Sequence, residues 1–317
     1  MIAAFSEVEF DSRNPVVLRD IRRPDLQHTK SSGLLCMPPP SCGHGPFPAL
    51  VVCHGLGGMI KNRELRYATW LAGQGVAVLL VDSYAKRGMA RSADTWRALK
   101  VTEGMYLCDA FGALDFLSRH ERIDAERIGM MGFSYGAMIS VLAAYRQTQE
   151  HFAVEKSQQF AGHIAFYGPS VPRFERTEST GAPVLIMNGL LDRNISHKRT
   201  RQIAEDLRAG GSRVDLHEMP GAYHQWDGED ETRAFKTPAI QGVKTLLQPD
   251  FNARCERWGI KVAGAISRAA VILFSSDPIG YYTLRDDKTR DVSDRLIVDF
   301  VETNLKQTSR QFSSAAG

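Results

Sequence analysis

The chain is short of cysteine and of net charge, and each shortage excludes something. Its five cysteines, Cys36, Cys42, Cys53, Cys108 and Cys255, are an odd number at irregular spacing, which argues against a disulfide framework. Cys36, Cys42 and His44 stand near one another without a Cys-x-x-Cys pair, so no metal site is expected. The net charge is +3, from 39 basic and 36 acidic residues. There is no block of five like charges and no basic stripe interleaved with aromatics, which excludes a nucleic-acid partner. Long apolar runs are missing too. Ala269 to Phe274 is far short of a membrane span, so no membrane partner is expected. Met1 to Glu7 lacks the charged and apolar regions of a signal peptide, and the expected location is cytoplasmic. Ile60 precedes Lys61 where a phosphate-binding loop needs glycine, and Gly55-x-Gly57 lacks a third glycine for a dinucleotide. No cofactor is expected, and no internal repeat is found.

What is present is an alternation of buried strands and helices. With 317 residues, 43% hydrophobic and 24% charged, the chain reads as one large α/β domain over residues 1–317. Apolar runs at Pro48–Cys53 and Val76–Val81 read as strands buried on both faces, and Arg127–Met131, His163–Tyr167, Pro183–Met187 and Val214–Met219 read as further strands. Between them, Asn62 is expected to cap a helix ending at Gly73. Leu107, Phe111, Leu114 and Leu117 share a helix face, and His197 to Ala209 forms a polar-faced helix. The class is α/β, a mostly parallel central sheet with helices on both faces. Residues 1–45 supply antiparallel edge strands at Ser6–Phe10 and Gly33–Met37. A closing helix occupies 293–306, with Leu296, Ile297, Phe300, Val301 and Leu305 on one side. The segment 230–290 exceeds a normal connection. It is open between a lid, an edge extension and a dimerisation element, so a homodimer is one reading.

The chemistry centres on Gly132-Phe133-Ser134-Tyr135-Gly136, set between a strand and a helix. Gly-x-Ser-x-Gly in that context is a nucleophile elbow, whose sharp turn lifts the serine hydroxyl out of the sheet. A serine hydroxyl needs a base to take its proton and an acid to orient the base. In chain order after Ser134 come Asp192, in the turn after the 184–187 strand, and His224, in the turn after Met219. All three fall past the carboxyl ends of strands, where open α/β sheets bind ligands. His197, His217, Asp215 and Asp227 compete less well, since His197 opens a helix and His217 and Asp215 lie mid-strand. His54-Gly55-Leu56-Gly57-Gly58 follows the first buried strand. Backbone N–H groups of Leu56 and Tyr135 are the expected oxyanion donors. Tyr84, Tyr135, Tyr167 and Trp226 are candidates for an apolar wall, and Lys86, Arg87 and Arg91 for holding an acidic group.

Together, His54 to Gly58, Asp82-Ser83-Tyr84-Ala85-Lys86-Arg87-Gly88, Gly132 to Gly136, Asn188-Gly189-Leu190-Leu191-Asp192 and Pro220 to His224 resemble the dienelactone hydrolase family over roughly residues 45–228. The resemblance implies an α/β-hydrolase fold, a nucleophile–His–Asp triad, no cofactor and hydrolysis of a small-molecule ester or lactone. Three departures stand out. Ser134 replaces the family's cysteine, His54 stands where a glutamate is usual, and Lys86 and Arg87 are the nearest counterparts of substrate-binding arginines. His54, Tyr84, Lys86, Arg87, Tyr167 and Trp226 are thus the substrate-binding candidates. The serine favours ordinary ester hydrolysis, as in a carboxylesterase. A prolyl oligopeptidase-like peptidase shares Gly-x-Ser-Tyr-Gly, but ~45 residues ahead of the sheet are too few for its propeller. A non-catalytic binding protein of this fold would normally lack one of the three residues.

Overall fold

Seven consecutive residues from Phe47 to Cys53 are all buried, and they alternate between two cores. Ala49, Val51 and Cys53 face one, Leu50 and Val52 the other. Such a strand has no solvent face, which requires helices on both sides of its sheet. The computed structural model describes residues 4–92, 94–236 and 238–306, so the ends of the expected 1–317 domain lie outside the described residues.

The strands of the first half are β1 (Phe5–Arg13), β2 (His28–Cys36), β3 (Phe47–Cys53), β4 (Ala77–Asp82), β5 (Ile123–Phe133) and β6 (His163–Phe166). They are followed by β7 (Pro172–Phe174), β8 (Val184–Gly189) and β9 (Val214–Met219). Eight of them form one sheet in the order β1-β2-β4-β3-β5-β6-β8-β9. β1 pairs antiparallel with β2, and β2 antiparallel with β4; every later pairing is parallel. The helices are α1 (Arg66–Gly73), α2 (Asp94–Lys100), α3 (Glu103–Ser118), α4 (Tyr135–Ala143), α5 (Arg146–Phe152) and α6 (His197–Ala209). α3, α4 and α6 cover one face of the sheet. The other is covered by α1 and by a helix near the end of the described chain, whose Ile297, Phe300 and Val301 are buried.

Asn62 does not cap a helix. Lys61–Leu65 winds as a wide π-turn leading into α1, and the Asn62 N–H donates to Glu229 instead. The strand expected to include Tyr167 stops at Phe166, because Tyr167 takes a left-handed φ of 43°.

The segment 230–290 builds structure of its own above the carboxyl ends of the strands. β10 (Ala234–Lys236), β11 (Thr245–Leu247), β12 (Ala253–Cys255) and β13 (Lys261–Val262) precede α7 (Ala265–Ser275). β14 (Tyr281–Thr283) and α8 (Asp287–Val301) follow it. β7 leaves the main sheet to join a small one in the order β13-β12-β11-β7, pairing parallel with β11. β10 and β14 pair antiparallel. Among the described residues no helix is long and apolar enough to cross a membrane.

Candidate active site

The turn between β5 and α4 is closed to any side chain at its two glycines. A Cβ at Gly132 would fall 2.1 Å from the Gly136 carbonyl oxygen, and one at Gly136 would fall 2.2 Å from the Cys53 carbonyl oxygen. Between them Ser134 sits at φ 51°, ψ −115°, a region that costs a non-glycine residue roughly 1–3 kcal/mol. The neighbouring loop runs directly beside it, since a Cβ on Gly55 would lie 3.2 Å from Ser134 Cβ.

Two further loops meet there. In the turn after β8, Leu190 N–H donates to Met219 O and Leu191 N–H to Ala222 O, which ties it to the turn after β9. Asp192 and His224 are thereby held together. His224 Nδ1 lies 2.6 Å from Asp192 Oδ2, and His224 Nε2 lies 3.0 Å from Ser134 Oγ. A carboxylate only accepts, so Nδ1 carries the proton and Nε2 faces the serine as an acceptor. The other Asp192 oxygen takes the Asn194 N–H at 2.8 Å. Asp192 and His224 are buried; Ser134 keeps 8% of its surface exposed. β14 locks the histidine backbone: His224 N–H donates to Tyr282 O at 3.2 Å, and Leu284 N–H to His224 O at 3.3 Å.

Ser134, Leu56 and Tyr135 line one cavity of about 600 Å³. Tyr135 is the first residue of α4, so its N–H has no carbonyl one turn back to bond. Its phenol donates to Glu103 Oε2 at 2.8 Å and accepts from Arg268 of α7 at 3.1 Å. Burial would raise the Glu103 carboxyl, but the Arg268 charge and hydrogen bonds outweigh it and hold the group below its usual range.

The six substrate-binding candidates do not line this cavity, and each has a physical reason. His54 is buried beneath the loop, with Nδ1 2.7 Å from Gly55 O and Nε2 accepting the Ser83 N–H. Burial pushes its pKa down, so the ring is a neutral prop. Tyr84 packs on His54 and donates to Leu56 O, supporting the same loop from below. Lys86 pairs with Glu9 at the surface. Arg87 is engaged by both oxygens of the fully buried Asp109 and by Ser83 O. Tyr167 lies behind His224, ring centroids 4.8 Å apart, and donates to Asp227 at 2.6 Å. Trp226 is buried, its indole donating to Ser293. Half of the residues that do line the cavity come from 230–290, among them Phe235, Lys236, Ile240, Ile272, Leu273 and Tyr281. Sequence reasoning missed them, and the unusual length of the segment was the one signal available. Among the described residues, no group of three or more His, Cys, Asp or Glu is arranged to hold a metal ion.

An open α/β sheet with a serine at a strained strand-to-helix turn and a histidine–aspartate pair at its hydroxyl is the α/β-hydrolase fold. The dienelactone hydrolase family model matches residues 33–248, more than half of the chain, and the protein belongs to that family. The chain is 29% identical over 146 residues to esterase FrsA of Enterobacter sp. (strain 638), covering 46% of this chain and 33% of the relative. It thus spans about a third of that esterase's length. It is 24% identical over 208 residues to a provisionally named carboxymethylenebutenolidase of Methylorubrum extorquens, covering 64% of this chain and 71% of the relative. A solved structure described as m3DLH superposes with a TM-score of 0.50 at 18% identity, covering 69% of this chain and 84% of the other, and shares the fold.

Proposed function

We propose that the protein is a cofactor-free serine hydrolase that cleaves small-molecule carboxylic esters or lactones through an acyl-enzyme. The observation that carries this reading is the continuous chain Ser134 Oγ–His224 Nε2 and His224 Nδ1–Asp192 Oδ2, at 3.0 and 2.6 Å. Membership of the dienelactone hydrolase family supports it, as do relatives named as an esterase and a carboxymethylenebutenolidase.

Ser134 Oγ attacks the substrate carbonyl carbon while its proton passes to His224 Nε2. The carbonyl π pair moves onto oxygen, where the Leu56 and Tyr135 N–H groups stabilise the charge. The tetrahedral intermediate collapses, the C–O bond to the alcohol breaks, and the imidazolium returns the proton to the departing oxygen. Water then attacks the acyl-serine with His224 as base, and the acid leaves. Asp192 fixes the imidazole tautomer and stabilises its cation. The catalytic unit is one domain, with residues 234–283 as a cap whose underside walls the cavity. A cytoplasmic location is part of the same proposal.

The test is the hydrolysis of p-nitrophenyl acetate and butyrate by wild type and Asp192→Asn. Asparagine can present its N–H to Nδ1 and invert the tautomer, so kcat falls on the order of 10⁴ with the fold intact. Equal turnover by the two proteins overturns the assignment.

A further inference from the structure

Beside the Ser134 cavity lies a second, smaller one of about 80 Å³. The two share Leu56, Ala98, Tyr135, Ile240 and Ile272. The residues that line the smaller are all buried or half-buried. Leu18, Met138, Val243, Leu247 and Val271 line it and are each at most 4% exposed. The larger reaches solvent, since its lining includes Phe235 at 55% and Leu273 at 58% exposure.

We infer that the small cavity is the acyl pocket and the large one the alcohol pocket, so that the substrate is an ester joining a short, uncharged acyl group to a bulkier alcohol. This rests on the proposed role of Ser134. Leu56 and Tyr135, whose N–H groups would hold the carbonyl oxygen, also wall the small cavity. A chain attached to that carbonyl carbon has this space next to it. The order of events fixes the assignment in the same sense. The alcohol leaves first and needs the side open to solvent, whereas the acyl group stays bonded to Ser134 until water arrives.

The chemistry of the walls selects the acyl group. The charged residues of the small cavity, Glu103 and Arg268, are spent on each other: Arg268 Nη2 lies 2.7 Å from Glu103 Oε2. Arg268 also donates to Ala98 O at 2.6 Å. An acidic acyl chain would have to break this buried pair, while a neutral one meets Val and Leu side chains. At about 80 Å³ against about 600 Å³ for the cavity beside it, the small cavity favours a short acyl chain over a long one. Each buried methylene is worth roughly fourfold in kcat/KM.

The experiment measures kcat/KM for p-nitrophenyl acetate, butyrate, hexanoate and octanoate with wild type, Val271→Phe and Val271→Ala. Wild type should favour butyrate over acetate by on the order of tenfold and decline towards octanoate. Val271→Phe fills the cavity and should bring the butyrate-to-acetate ratio to about one or below, with cooperative thermal unfolding showing that it folds. Val271→Ala lengthens the pocket and should move the optimum to hexanoate. If both folded variants keep the wild-type chain-length profile, the pocket assignment is overturned while the hydrolase reading stands. If folded wild type turns over none of the four esters, both are overturned.

Discussion

Arg268 of α7 donates to the phenol oxygen of Tyr135 at 3.1 Å, joining the cap segment to the residue that follows Ser134. The same guanidinium pairs with Glu103, which accepts from the Tyr135 hydroxyl at 2.8 Å. The three side chains form a closed, largely buried triangle that fixes where the start of α4 stands relative to the cap. Arg268→Met removes one corner and leaves Glu103 without its counter-charge. Breaking a buried pair from one side costs about 3–5 kcal/mol, so the unfolding free energy should drop by that order. Because Tyr135 N–H is then less firmly placed, kcat should fall more than KM rises. Urea unfolding and steady-state kinetics on the same variant check both parts.

Gly136 is packed against the carbonyl of Cys53, with 2.2 Å for any added Cβ. Gly136→Ala therefore forces β3 and the elbow apart. Overpacking of this kind costs about 1–3 kcal/mol or more, and it should also displace the Gly55–Gly58 loop from Ser134. The expected outcome is a lowered melting temperature together with loss of ester hydrolysis. A melting temperature and turnover equal to wild type would contradict the packing described.

His163, on β6 between two helical layers, is wholly buried, and burial pushes its pKa down to about 3. An unfolded histidine titrates near 6.5. The folded value is depressed, so the unfolded chain takes up a proton that the folded chain refuses. Stability from this group is present above pH 6.5 and is lost as pH falls towards 3, by on the order of 1.4 kcal/mol per pH unit. His163→Leu removes the proton uptake. Its stability relative to wild type should rise steadily between pH 6.5 and pH 4, read by urea unfolding at each pH.

The parts of this molecule that could be read from the sequence are those with a local physical signature. β3 and β4 are recognisable because a strand buried on both faces must be apolar throughout. Gly132 and Gly136 are recognisable because no other residue fits their backbone approach, and that places Ser134. Asp192 and His224 follow because each comes in the first turn after its strand. The cap was not legible. Its strands run two or three residues, too short for a period, and β11 finds its parallel partner in β7, from Thr245 to Pro172, across the whole of β8, α6 and β9. The burial of Arg87 on Asp109, and of Tyr167 on Asp227, was hidden for the same reason. A basic or aromatic residue on a loop at the active edge reads alike in sequence whether it faces substrate or a carboxylate behind the site. Half of the cavity lining thus comes from a segment whose fold rests on distant pairings.

The most direct measurement is ester turnover and fluorophosphonate labelling of wild type beside Ser134→Ala. The account predicts one phosphonyl group per chain, located on Ser134, with activity lost in proportion to labelling. It predicts a fall on the order of 10⁶ in kcat for the variant, since the three residues act as a unit. Turnover by Ser134→Ala within tenfold of wild type, or a label on another residue, would contradict it.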